Sequence, residues 1–373
     1  MGKKILDNYN SCITVSGKPV FYDGFMWLVS AEFDLLLKYD FAGTTLLNRY
    51  KIPGKSVFWG HLNIVAFEKK LFIFPLYGYG IFIFDPNDAS FQKINIEKYM
   101  IDCKKERYDI VESIGNKLIF IESNSNHVFE YTDVDRTIRC VDQKLSDCLK
   151  INGIDTKSPI FTTEYCRVKD LLYIPIDNLK SFIIFDLKSY DASLVDIKTE
   201  GKVWSVCGNE NCVLFTTTDG EVVTWKKDSI SSIRDLSYLS NEKSILLKPV
   251  CVRDKVFYFS WKGREYYMDE NDNIIKTELP FMSTDTRYPA GAYYQFQWVY
   301  TNEEMIYVQS RINGDIFVID SLTNGVNILR LPFPQNEVSG LIKDVCKEGG
   351  YNPIMEDDAF TLDSLLGLCG SDE

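Results

Sequence analysis

Histidine is nearly missing from this chain, with two in 373 residues, His61 and His127. That scarcity rules out a multi-histidine metal centre and leaves little general-base capacity near neutrality. The ten cysteines contain no C-x-x-C pair and show no framework spacing, so they read as reduced core thiols with no metal role. No Lys/Arg run is long enough to release the counterions that nucleic-acid binding depends on, and the net charge of -12 repels a phosphate backbone. DNA and RNA are therefore not expected partners. No apolar stretch approaches the roughly 20 residues that span a bilayer. The start, Met1 to Tyr9, lacks the apolar core of a signal peptide, so the expectation is a cytoplasmic protein with no membrane partner. No phosphate loop is present either, because Tyr77-Gly78-Tyr79-Gly80 precedes a strand rather than a helix. The acidic run Asp269 to Asn273 lacks the glycine and distal glutamate of a calcium loop. No cofactor is expected.

What the chain does have is aromatic and aliphatic residues in short alternating runs, with 24 Phe, 22 Tyr and 45% hydrophobic residues. Such runs begin at Phe25, Leu71, Leu118, Leu171, Val213, Val256 and Met305, so the copies lie 46, 47, 53, 42, 43 and 49 residues apart. That interval suits one four-stranded blade of a propeller. The third strand of each copy ends at Tyr39-Asp40, Phe84-Asp85, Tyr131-Thr132, Phe185-Asp186, Trp225-Lys226, Met268-Asp269 and Ile319-Asp320, where five aspartates can bond turn amides two residues on. Turn pairs fall in register, with Asp219-Gly220, Lys262-Gly263 and Asn313-Gly314 between second and third strands. Pro86-Asn87-Asp88 and Thr323-Asn324-Gly325 do the same between third and fourth. In the second copy the inner strand is expected over 58–64 and the outer over 91–96. Longer loops are expected over 97–107, 143–158 and 281–293.

Through repeat length, aromatic-Asp strand ends and segments such as Phe182-Ile183-Ile184-Phe185-Asp186, residues 10–333 resemble kelch-like and related seven-bladed propellers. The resemblance implies a fold and no activity. No Gly-Gly pair closes a second strand, no Trp-Asp ends a blade, and the Ser-x-Asp-x-Gly-x-Thr-Trp box of sialidases is missing. The expected architecture is all-β: a seven-bladed β-propeller of four-stranded blades over 1–333, followed by an acidic, short α-helical C-terminal tail over 334–373.

Loops joining second to third strands, and fourth to the next first, gather around one mouth of a propeller channel. They offer Tyr77, Tyr79, His127, Trp261, Arg264, Arg287, Tyr288 and Arg311, a set of aromatics and cations suited to stacking on a ring or gripping a carboxylate. This supports a non-catalytic scaffold that binds a peptide, protein or small molecule at the mouth. The alternative is a propeller lyase or hydrolase acting on a peptide or glycan, with His127 or His61 as base and Arg264 or Arg311 holding an oxyanion. In the tail, Val338, Leu341, Ile342 and Val345 fall at helical spacing, and Phe360, Leu362, Leu365, Leu366 and Leu368 make a second apolar set. Residues 334–373 carry nine acids and two lysines, a net of -7. That tail either covers a blade edge or docks into a partner's groove.

Overall fold

The computed structural model describes residues 16–30, 33–54, 60–76, 80–94, 96, 107–123, 126–154, 161–162, 164–239, 246–260, 265–270, 273–280, 296–310, 314–334, 336–337 and 341. Seven antiparallel sheets of four strands follow one another along the chain. Blade 1 is β1 (Val20–Tyr22), β2 (Phe25–Ser30), β3 (Leu35–Asp40) and β4 (Leu46–Lys51). Blade 2 is β5 (His61–Phe67), β6 (Lys70–Pro75), β7 (Ile81–Asp85) and β8 (Ser90–Ile94). Blade 3 is β9 (Tyr108–Ile114), β10 (Lys117–Glu122), β11 (Val128–Thr132) and β12 (Thr137–Cys140), and helix α1 (Gln143–Ile151) leads out of it. Blade 4 is β13 (Cys166–Val168), β14 (Leu171–Pro175), β15 (Ser181–Asp186) and β16 (Ala192–Asp196). Blade 5 is β17 (Val203–Gly208), β18 (Val213–Thr217), β19 (Glu221–Lys226) and β20 (Ser229–Asp235). Blade 6 is β21 (Leu247–Val252), β22 (Lys255–Ser260), β23 (Glu265–Glu270) and β24 (Asn273–Glu278), and blade 7 is β25 (Phe296–Asn302), β26 (Met305–Ser310), β27 (Ile316–Asp320) and β28 (Val326–Leu329).

The apolar runs legible in the sequence are the second strands, which are buried on both faces. Leu71, Phe72, Ile73 and Phe74 of β6 are all inaccessible, because a neighbouring blade covers each side of the sheet. Outer strands alternate instead, as in β12, where Thr137 and Arg139 are exposed and Ile138 is half-buried. Core residues fall into seven clusters, one for each junction between blades. Trp27, Val29 and Leu36 of blade 1 pack on Leu71, Ile73 and Phe84 of blade 2, and so on round to Met26, Leu28 and Tyr39, which pack on Trp298, Ile316, Leu331 and Phe333. A seventh junction between last and first blades closes the ring.

Among the described residues closure uses no shared strand: the four strands of blade 1 come from the start of the chain and those of blade 7 from near its end. The Trp298 indole N–H donates to the Ser16 carbonyl at 2.8 Å and the Tyr39 hydroxyl to the Pro332 carbonyl at 3.1 Å. Gly17 is fixed beside this seam, because a Cβ there would sit 1.8 Å from the Leu62 carbonyl oxygen.

Several boundaries differ from expectation. The inner strand of blade 2 starts at His61, and the outer strand ends at Ile94. The connection after blade 3, expected as a loop, carries α1, because Leu145 and Leu149 lie one turn apart and drop together between blades 3 and 4. Of the five strand-ending aspartates, Asp40, Asp85, Asp186 and Asp320 accept turn amides, at 2.7 to 2.9 Å for the shortest bond of each. Asp269 instead takes the Arg234 guanidinium of blade 5 at 2.6 Å. Beyond Leu341 the tail lies outside the described residues, and no described helix is long and apolar enough to cross a membrane.

Candidate functional site at the channel mouth

The innermost strands β1, β5, β9, β13, β17, β21 and β25 ring the channel, and charged side chains cluster near their starts. On β9 the ladder to β10 skips Asp109, and this bulge places Asp109 and Glu112, three residues apart, toward the same charges. Arg107 donates to Asp109 at 2.7 Å, and the Ser123 hydroxyl adds a bond of 2.8 Å to the same oxygen. Arg167 of β13 donates to Glu112 at 3.1 Å and to the Ser113 carbonyl at 2.5 Å. The Tyr165 phenol, held neutral because burial raises it well above its ordinary value, donates to the Val111 carbonyl at 3.2 Å. Lys248 of β21 reaches across to Glu164, just ahead of β13, and forms an ion pair with only 8% and 13% of the two side chains exposed.

Lys18, two residues before β1, feels the carboxylates of Asp109 and Glu112 and is felt by Lys248. Blades 1, 3 and 6 share no junction, so side chains from all three meet only in the lumen. Lys18 is exposed to that lumen yet enclosed by the ring, and desolvation lowers its ammonium pKa against the pull of the two acids. Burial, and then the charge of Lys18, push the Lys248 ammonium well below its ordinary value. Burial raises the Glu112 carboxyl, with Arg167, Tyr165 and Lys18 pulling it back.

Three cations therefore have carboxylate partners (Arg107 with Asp109, Arg167 with Glu112, Lys248 with Glu164), and Lys18 makes no hydrogen bond or ion pair among the described residues. Among these seven residues cations outnumber carboxylates by one, and the two lysines repel each other. An anionic group seated between them relieves both penalties at once. None of these six positions, Lys18, Asp109, Glu112, Glu164, Arg167 and Lys248, stands out along the chain. Charged residues on otherwise apolar inner strands were the available signal.

Of the residues read from sequence as ligand-binding, Tyr77, Tyr79, Trp261, Arg264, Arg287, Tyr288 and Arg311 lie outside the described residues, as do Phe360, Leu362, Leu365, Leu366 and Leu368 of the tail. The two histidines are described. His61 is buried, with Nδ1 2.8 Å from Asp34 Oδ1 and Nε2 3.1 Å from the Gly80 carbonyl, so both ring nitrogens are occupied. This is the geometry of a hydrogen-bonded structural residue. His127, just before β11, is ion-paired through Nδ1 to Asp142, which lifts its pKa to about 10 and keeps it protonated at neutral pH. Cys140 Sγ lies 4.0 Å from the same nitrogen. The β11–β12 hairpin folds position 140 back onto position 127, so His127, Cys140 and Asp142 stand together.

No family model matches the sequence, and no curated protein matches it. Solved structures match in fold. A virginiamycin B lyase from Staphylococcus aureus, solved as a catalytically inactive histidine-to-alanine variant with quinupristin, is 13% identical, with 82% of this chain and 95% of that one covered and a TM-score of 0.59. YCF48 bound to D1 peptide is 8% identical, with 82% and 91% covered and a TM-score of 0.60; YCF48 has also been solved from Cyanidioschyzon merolae. BamB from Moraxella catarrhalis is 11% identical, with 82% of each chain covered and a TM-score of 0.50. At these identities the likeness concerns the propeller architecture, and these neighbours are not kelch proteins.

Proposed function

We propose that this propeller is a non-catalytic binding scaffold that takes an anionic group of a peptide, protein or small molecule at the mouth of its channel. The observation that carries the reading is Lys18, a lumen cation that makes no ion pair among the described residues, set near a second, nearly buried lysine. Support by analogy comes from YCF48, a propeller solved with a bound peptide. The acidic tail, with its apolar set from Phe360 to Leu368, serves this reading as a docking or regulatory element. A lyase or hydrolase working through a histidine base is disfavoured, since both ring nitrogens of His61 are bonded and the ion pair with Asp142 keeps His127 protonated at neutral pH.

The test is capture from the native cell with the wild-type chain and with Lys18→Met, followed by mass spectrometry and then titration of the retained species. A charge-assisted contact to an anion is worth about 1.5–3 kcal/mol, so affinity should fall roughly 10- to 150-fold in the variant while the ring still folds. Equal retention by Lys18→Met removes the reading. So does a turnover reaction abolished by His127→Ala and untouched by Lys18→Met.

A further inference from the structure

We propose that His127, Cys140 and Asp142 form a divalent-metal site of zinc type, with three protein ligands and an open fourth position. It is made by residues distinct from the lumen cluster and does not depend on that cluster binding anything.

The three donor atoms, an imidazole nitrogen, a thiol sulfur and a carboxylate oxygen, all lie within 4.8 Å of one another. Two arrangements bring such residues together, and the geometry separates them. In a nucleophile–base–acid relay the histidine uses one nitrogen for the nucleophile and the other for the acid. Here Cys140 and Asp142 both face Nδ1. No proton can be passed through the ring from one to the other, whereas three donors around one point are what a cation requires.

The backbone supports the same reading. Cys140 closes β12 opposite Phe129, and the Val141 N–H donates to the Val128 carbonyl at 2.8 Å, so His127 and Cys140 are held on adjacent strand ends. Asp142 stands at the N-cap of α1, where an aspartate ordinarily bonds the helix's free amides. Its carboxylate makes no cap bond and turns to His127 instead. With 33% of the His127 side chain and 19% of the Asp142 side chain exposed, an ion has a way in.

Donor type selects the ion. A thiolate with an imidazole suits zinc, whereas calcium and magnesium take oxygen ligands. Zinc–sulfur and zinc–nitrogen bonds of about 2.3 and 2.0 Å in a tetrahedron put those atoms about 3.5 Å apart. The observed 4.0 Å closes to this with a small side-chain shift. Coordination displaces the proton shared by His127 and Asp142 and the thiol proton of Cys140, both of which pass to solvent. Water, or a donor atom of a ligand, completes the fourth position.

The test uses the full chain stripped of metal and titrated with Co(II), then with Zn(II). The expected result is one equivalent of Co(II) bound, with a thiolate-to-cobalt charge-transfer band that zinc bleaches. Cys140→Ser should abolish the band, while Cys251→Ser retains it. His127→Gln and Asp142→Asn should weaken zinc by about 100-fold or more, beyond what outer-shell changes cost. Should Cys140→Ser fail to fold, Asp142→Asn gives the reading alone, with folding checked by melting of the metal-free proteins. Absence of a stoichiometric band, its survival in Cys140→Ser, or unchanged zinc affinity in Asp142→Asn overturns the site.

Discussion

Ser16 and Gln309 bond each other in both directions across the ends of the chain: the Ser16 amide donates to Gln309 Oε1 at 3.2 Å, and Gln309 Nε2 donates to the Ser16 hydroxyl at 3.1 Å. Both residues are buried, and with Trp298 they tie the first blade to the last. Gln309→Met keeps the volume and strands the Ser16 amide, at a cost of about 1–3 kcal/mol. Because Trp298 bonds the same serine, the pair Gln309→Met and Trp298→Phe should couple by about 0.5 kcal/mol or more in a double-mutant cycle followed by urea unfolding. Strict additivity would mean that the seam is not one unit.

Lys248 and Glu164 sit nearly out of water, so the single and double substitutions should differ sharply in cost. Removing one partner leaves the other buried and unpaired, and Lys248→Met should cost about 3–5 kcal/mol. Lys248→Met with Glu164→Gln removes both charges and should return to within about 1 kcal/mol of the wild type. Urea unfolding of the four proteins decides it. A double variant no better than the worse single would show that the pair supplies net stability.

The same logic distinguishes a structural from a chemical His61. With both ring nitrogens bonded and Asp34 almost fully buried, His61→Ala should cost about 3 kcal/mol or more, as for breaking a buried ion pair. Ligand affinity of the folded fraction, read by calorimetry at low temperature, should be unchanged. A drop in affinity without a drop in stability would place His61 in the binding site.

Blades were legible because each repeats a local rule. Asp40, Asp85, Asp186 and Asp320 each close a third strand and bond a turn within five residues, so sequence neighbours carry the whole signal. Asp269 reads the same way but bonds Arg234, 35 residues back in the adjoining blade. Helix α1 was missed because nine residues with Leu145 and Leu149 as the sole buried pair give too short a period to outweigh a loop. The lumen cluster was illegible for a geometric reason. Lys18, Glu112, Glu164 and Lys248 are dispersed over 231 positions and meet only once the ring has closed.

Lys18 makes affinity and stability move oppositely with pH. Its folded pKa lies below the ordinary 10.5, so between the folded value and 10.5 the unfolded chain holds a proton that the native ring has released. Stability rises with pH wherever the unfolded state binds more protons, so this lysine adds stability as pH climbs through that window. An anion bound at the mouth needs the ammonium, so affinity falls through the same window. Lys248 shifts in the same direction and reinforces both trends, and Tyr165, raised well above 10.0, stays neutral. Saturating anion should restore the Lys18 proton and flatten the stability slope. Denaturant unfolding and calorimetric titration across the alkaline range, each compared with Lys18→Met, measure the two slopes. Affinity that holds steady while the lysine titrates would mean that the anion sits elsewhere on the ring.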